Sequence, residues 1–191
     1  MASETLPRFS LEKYLELERE AEFRSEYIDG QIVSMAGCTW QHEMLQGNIY
    51  FELRGRLRGT GCRAVLPGFR IQVSRQHSTY PDVAVVCGKL ALADGQNDAY
   101  TNPAVVVEVL SPNTEHYDRG EKFRRYRMLE SVKDYILIDQ RRVLVEHFTR
   151  QPDNSWTLRD CQKLDEELSI DTIGVKIPLQ CIYEGVELAS E

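Results

Sequence analysis

Ala104-Val105-Val106-Val107-Glu108-Val109-Leu110 is the stretch from which the rest of the chain is read. Its unbroken β-branched, apolar character predicts a strand buried on both faces of a sheet. Glu108 breaks that pattern. An ionised carboxylate inside such a strand is costly unless a counter-charge or a metal ion meets it. Upstream, Tyr80-Pro81-Asp82 opens a second apolar run, Val83 to Val86. Downstream, Ser111-Pro112-Asn113-Thr114 leads into a helix expected over roughly Glu115 to Glu130, followed by a strand from Asp134 to Asp139. That crossover has the length of a βαβ unit. On the helix, Asp118, Lys122, Tyr126 and Leu129 share one face by their spacing. Leu129 suggests that this face meets the sheet, which would let Lys122 reach back toward Glu108.

The remaining elements are arranged around this unit. Ser10 is a suitable N-cap for a helix from Leu11 to about Ala21. Glu26 to Met35 reads as two short strands about Asp29-Gly30, a strong hairpin signal. A second helix is expected from about Thr39 to Arg58, with His42, Leu45, Ile49, Leu53 and Leu57 facing inward and Gly59 and Gly61 ending it. Further strands are expected at Arg63 to Leu66, Phe69 to Ser74, Asp82 to Cys87 and Leu144 to Thr149. Gly88 to Asn102 reads as a loop with room for a short turn of helix. Trp156 to Tyr183 reads as one or two strands and a packing segment. The pattern predicts an α/β (α+β) domain with a central mixed sheet, an N-terminal helix and a β-hairpin.

At 191 residues the chain is expected to form a single domain over 1–191. Hydrophobic content of 42% and charged content of 28% place it among soluble globular proteins. Met1 to Pro7 has neither the basic start nor the apolar core of a signal peptide, and no apolar run is long enough to span a bilayer. A cytoplasmic protein without membrane contact is expected. The five cysteines are scattered and form no C-x-x-C pair, so they read as small buried hydrophobes of a reducing compartment rather than as a zinc or redox site.

A net charge of −7 argues against a general nucleic-acid coat protein but leaves room for local basic patches. Two such patches are visible: Arg54, Arg56, Arg58 and Arg63, and then Arg119, Lys122, Arg124, Arg125 and Arg127. Taken alone, each reads as a solvated helix face. Asp82 and Glu108 can offer hard oxygens to Mg²⁺ or Mn²⁺, and an adjacent lysine can hold an attacking water and offset charge on a phosphodiester transition state. Main-chain carbonyls near Val109 could complete the metal shell. Each residue also has a plainer reading. Asp82 could end a turn, Glu108 could form a structural ion pair, and Asp118 could stabilise a helix start. Tyr126 could be a packing residue with a polar tip, His42 a core histidine, and Glu26 a charge on an edge strand. His77, His116 and His147 show no partner spacing and receive no role.

Pro81-Asp82, Val107-Glu108-Val109-Leu110-Ser111-Pro112-Asn113-Thr114, Asp118, Lys122 and Tyr126 together resemble the Uma-type family of proposed restriction endonucleases, within the PD-(D/E)XK, restriction-endonuclease-like superfamily. The likeness extends to Glu26-Tyr27-Ile28-Asp29-Gly30, Met35, His42 and Asp134 to Asp139, and covers about Leu11 to Ile182. It implies a restriction-endonuclease-like fold, a DNA-directed hydrolase dependent on Mg²⁺ or Mn²⁺, a 5′-phosphate product and a homodimer. It also implies catalytic roles for Asp82, Glu108 and Lys122, metal ligation by Asp82, Glu108 and Glu26, and supporting roles for Glu26, His42, Asp118 and Tyr126. One departure stands out. The superfamily's usual lysine lies two residues after the acid, where this chain has Leu110, so the positive charge is expected from Lys122 on the next helix. Two rivals remain open: an inactive nuclease-fold module for nucleic-acid binding or dimerisation, and a hydrolase of small phosphoesters.

Overall fold

A computed structural model describes residues 7–35 and 37–188. The reading of Met1 to Pro7 therefore falls almost wholly outside the described residues. Helix α1 (Leu11–Glu20) is capped by the Ser10 hydroxyl, which accepts from the Lys13 amide at 3.2 Å. Strands β1 (Ser25–Ile28) and β2 (Gln31–Ser34) form the hairpin, with Asp29 and Gly30 both at positive φ, as a two-residue primed turn requires. Helix α2 (Trp40–Arg56) starts at Thr39, whose hydroxyl accepts from the His42 amide.

Six strands follow: β3 (Cys62–Val65), β4 (Arg70–Ser74), β5 (His77–Thr79), β6 (Val83–Cys87), β7 (Ala99–Tyr100) and β8 (Val105–Leu110). Next come α3 (Glu115–Tyr117), a π-helical turn (Asp118–Lys122) and α4 (Phe123–Tyr126). The chain ends in β9 (Asp134–Asp139), β10 (Val145–Arg150), β11 (Trp156–Cys161), β12 (Glu167–Ile170), a 3₁₀ turn (Asp171–Ile173), β13 (Val175–Pro178) and α5 (Leu179–Ile182).

The main sheet has the order β11-β10-β9-β8-β6-β3, with β8 and β9 parallel and the other pairs antiparallel. Every residue of β8 is buried. Val105, Val107 and Val109 face α2 through Leu45, Ile49 and Leu53. Val106 and Leu110 face the opposite core, with Phe123, Tyr126 and Tyr135, and also with Ile71 and Tyr100 of the second sheet. That second sheet runs β2-β1-β5-β4-β7. Alternation puts Glu108 on the face of Val106 and Leu110, toward the helix after β8.

The structure corrects several expectations. Gly88 to Asn102 holds no helical turn; it contributes β7, parallel to β4. β5 is only three residues long and carries no apolar side chain, so its periodicity was silent. The helix expected to reach Glu130 ends at Tyr126, so Leu129 packs from the following turn rather than from the helix. The segment Trp156 to Tyr183 supplies three strands instead of one or two. Cys62 and Cys87, register partners across β3 and β6, are joined as a disulfide. For that pair the free-thiol reading fails. Of the remaining cysteines, Cys161 is buried, Cys181 intermediate and Cys38 exposed. No helix among the described residues is long and apolar enough to cross a membrane.

Candidate active site

The β6–β8 pairing sets Val83 opposite Val107, so the register one step further brings Asp82 across from Glu108. Two carboxylates facing each other across strands repel unless positive charge lies between or beside them. Asp82 is tied down at both oxygens. Its Oδ2 accepts the Val109 amide at 2.7 Å, and its Oδ1 lies 3.0 Å from His42 Nε2. Gln46 Nε2 also donates to the Asp82 carbonyl at 2.9 Å. His42 therefore stands over the site from the first turn of α2. Burial opposes protonation of its ring, but the hydrogen bond and charge of Asp82 outweigh that and raise its pKa above the ordinary imidazole value.

Lys122 is the hub of the second half. Its ammonium lies 2.9 Å from Glu108 Oε1, 3.3 Å from Glu26 Oε1 and 3.6 Å from Asp118 Oδ1. Its side chain is only 8% exposed. Tyr126 Oη donates to Glu108 Oε1 at 3.1 Å. The Thr79 hydroxyl donates to Glu26 Oε1. The π-helical turn carries Asp118 and Lys122 at its two ends, and both are buried. Turns of this kind occur often at functional sites.

The electrostatics follow from the count of charges. Glu26, Asp82, Glu108 and Asp118 face one lysine and one histidine. Burial drives the Glu108 pKa well above the usual carboxylate value; Lys122 pulls it down, while Asp82 and Asp118 push it up. Asp118 is raised for the same first reason, burial. Burial alone would lower the Lys122 pKa, yet Glu108, Glu26 and Asp118 hold it well above the ordinary value. Lys122 is thus a fixed ammonium, a donor rather than a base. The cluster is rich in carboxylate and short of cation.

That donor set suits a hard divalent ion. Among the described residues no three His, Cys, Asp or Glu groups stand close enough to share one metal. Mg²⁺, however, commonly takes only one or two carboxylates and keeps its waters. Asp82 and Glu108, opposite each other by register, are the two carboxylates that could meet that lower requirement. Glu26 is engaged by Thr79 and Lys122 instead of lying free beside Asp82.

The proposed site residues fall into two adjoining groups, Asp82 with His42, and Glu108 with Lys122, Glu26, Asp118 and Tyr126, which meet where the Val109 amide, next to Glu108, donates to Asp82. Glu26 lies on β1, between β2 and β5, so it is not an edge-strand charge. Thr79 and Gln46 escaped the sequence reading. A hydroxyl two residues before Pro81 and an amide four residues after His42 were the only signals available. His147, given no role, pairs with Asp134 at 2.7 Å inside the sheet, away from this network. The second basic patch is largely neutralised. Arg119 pairs with Glu146, Arg124 with Glu121, and Arg125 with Asp29 and Glu121.

The sequence profile of the Uma2 family, described as "Putative restriction endonuclease", matches residues 11–180. The chain belongs to the Uma2 family. An uncharacterized protein of Synechocystis sp. is 34% identical over 185 residues, covering 96% of both chains. A second one from the same organism is 30% identical over 164 residues, covering 85% of this chain and 93% of its own. Among solved structures, one from Anabaena variabilis, titled a "putative nuclease belonging to DUF820", superposes with a TM-score of 0.76. It shares 18% identity and covers 92% of this chain and 97% of its own. The Uma2 chain thus has a mixed α+β fold close to that nuclease-like structure. At this identity the likeness speaks for the fold alone.

Proposed function

We propose that this Uma2 protein is a divalent-metal-dependent endonuclease that hydrolyses phosphodiester bonds in DNA. The observation that carries the reading is the position of Lys122. Where Leu110 fills the strand position of the superfamily lysine, a buried ammonium from the next helix stands 2.9 Å from Glu108. Asp82 and Glu108 would hold Mg²⁺ or Mn²⁺, with main-chain carbonyls near Val109 completing the shell and Glu26 assisting. When bound, the ion would acidify a water and offset charge on the scissile phosphate. Lys122, kept charged by three carboxylates, orients the attacking water and stabilises negative charge as it develops. Tyr126 and Asp118 fix Glu108 and Lys122 in place, and His42 holds Asp82 against the Val109 amide.

One observation favours a second reading, an inactive module that keeps the fold to bind nucleic acid. Lys122 is fully engaged by carboxylates, and Asp82 already spends both oxygens on the Val109 amide and His42, so few oxygens are left free for a metal. Incubation of purified protein with circular single-stranded and duplex DNA in Mg²⁺ or Mn²⁺ decides between them. Cleavage that is lost in Asp82→Asn and Glu108→Gln supports the enzyme. Binding without cleavage supports the module. Turnover of model diesters without cleavage of DNA assigns a small-phosphoester hydrolase instead.

A further inference from the structure

The first basic patch takes no part in the site described above, and the structure gives it a setting. Helix α2 buries Leu45, Ile49 and Leu53. A second side is covered by the C-terminal segment, where Asn48 Nδ2 donates to the carbonyls of Ile182 at 2.9 Å and Glu184 at 2.8 Å. One arc is left in solvent. At about 100° per residue, Trp40, Gly47, Phe51 and Arg54 fall within roughly 60° of each other on that arc. Trp40 is 66% exposed and Phe51 74%. Gly47 leaves the middle of the arc flat, and a Cβ there would meet nothing. Glu43 sits on its flank near the Trp40 end.

Beyond Phe51 the arc runs into a cavity of about 500 Å³ lined by Arg54, Arg58 and Arg63 with Leu57, Cys62 and three glycines; among the described residues no carboxylate lines it. Among the described residues no acid pairs with Arg54 or Arg58, whereas Arg56 between them bonds Glu52 at 2.8 Å and the Lys176 carbonyl at 2.7 Å. A helix C-terminus favours basic residues, which accounts for arginines in the last turn. It does not account for Arg58 and Arg63, outside the helix, meeting Arg54 around one cavity in a chain of net charge −7.

We propose that this face of α2 is a track for single-stranded nucleic acid, with bases stacked on Trp40 and Phe51 and backbone phosphate held among Arg54, Arg58 and Arg63. Exposed aromatics offer stacking faces that only unpaired bases can use, and arginines supply the counter-charge to the backbone. Trp40 and Phe51 are separated by about 16 Å along the helix axis, which a stacked strand covers in roughly five nucleotides. Trp40 lies two residues before His42, the partner of Asp82, so the track and the candidate active site share one end of α2 while their side chains leave the helix on different sides. The proposal rests on the nucleic-acid reading of that site but not on its metal chemistry.

Fluorescence anisotropy with a labelled oligothymidylate of roughly 20 nucleotides, in EDTA, measures the track without cleavage. The wild type should bind it at least about tenfold tighter than a duplex of the same length. Trp40→Ala and Phe51→Ala should each weaken binding about 5- to 100-fold. Arg54→Gln/Arg58→Gln should weaken it and lower the salt slope by about 1.4, if each arginine neutralises one phosphate. Arg75→Gln, at an exposed arginine paired with Glu12, should change nothing. All these positions are exposed, and an unchanged unfolding midpoint shows that a variant is folded. Equal affinity across the variants, or a preference for duplex, overturns the track. If the wild type cleaves DNA in Mn²⁺ while the variants bind normally, the track is wrong and the nuclease stands. If binding depends on these residues and no cleavage occurs, the nuclease reading fails and the track stands.

Discussion

Replacing Lys122 by methionine removes an ammonium that lies within 3.6 Å of three carboxylates, Glu108, Glu26 and Asp118. At an effective dielectric of about 20, the 2.9 Å contact with Glu108 alone is worth roughly 6 kcal/mol of gross attraction. Desolvation of the two ions offsets much of that, so the net loss for breaking such a buried pair is about 3–5 kcal/mol. The loss should depend on pH. Burial already drives the Glu108 pKa well up, and without Lys122 the folded protein relieves the strain by keeping Glu108 protonated. An acid whose folded pKa is raised favours the folded state at low pH and loses that advantage as pH rises through the folded value. Each pH unit over which Glu108 is protonated in the fold and ionised in the unfolded chain is worth about 1.4 kcal/mol. Guanidinium denaturation of wild type and Lys122→Met at pH 7.5 and 5.5 measures both terms. The variant should be less stable by about 3–5 kcal/mol at pH 7.5 and recover part of the difference at pH 5.5. Lys122→Met/Glu108→Gln should be more stable than Lys122→Met at pH 7.5 and lack the recovery. A loss below about 1 kcal/mol, or one that is equal at both pH values, refutes the charge network described here.

His77 is 1% exposed, and neither ring nitrogen has a partner among the described residues; burial, with Arg125 and Lys122 nearby, lowers its pKa to about 4 from 6.5. The unfolded chain therefore binds a proton that the fold refuses, and stability falls as pH drops from 6.5 toward 4, by about 3 kcal/mol in all. Urea denaturation of His77→Phe should show that slope reduced by one proton, and an unchanged slope would count against the buried neutral histidine. The Cys62–Cys87 bond closes a loop of 25 residues, which the chain-entropy model values at about 3 to 4 kcal/mol. Thermal unfolding with and without dithiothreitol should show that loss on reduction, and an unshifted midpoint would mean that the bond does not constrain the chain.

The fold was legible where local chemistry and long-range pairing agree. The β-branched run around Glu108, the Asp29-Gly30 turn and the α2 stripe each carry their own signal within a few residues. Lys122 could be placed near Glu108 because a parallel β8–β9 pair forces the intervening helix back across the sheet. Legibility failed where structure is set from a distance. β5 has no apolar pattern because its partners β1 and β4 define it, and the two-residue β7 exists by pairing with β4. The Cys62–Cys87 bond depends on the β3–β6 register, which no C-x-x-C spacing announces. Thr79 and Gln46 reached the site by the same route, through the placement of strand and helix rather than by motif. The π-helical turn was hidden for another reason, since a spacing of four reads alike in α- and π-geometry over one turn.

Calorimetric titration of the purified protein with Mn²⁺ tests the central claim most directly, because it asks whether Asp82 and Glu108 form a cation site without requiring a substrate. A saturable binding isotherm is expected for the wild type and should disappear in Asp82→Ala and in Glu108→Ala. A wild type that takes up no Mn²⁺, or that binds it equally well without either carboxylate, would contradict it.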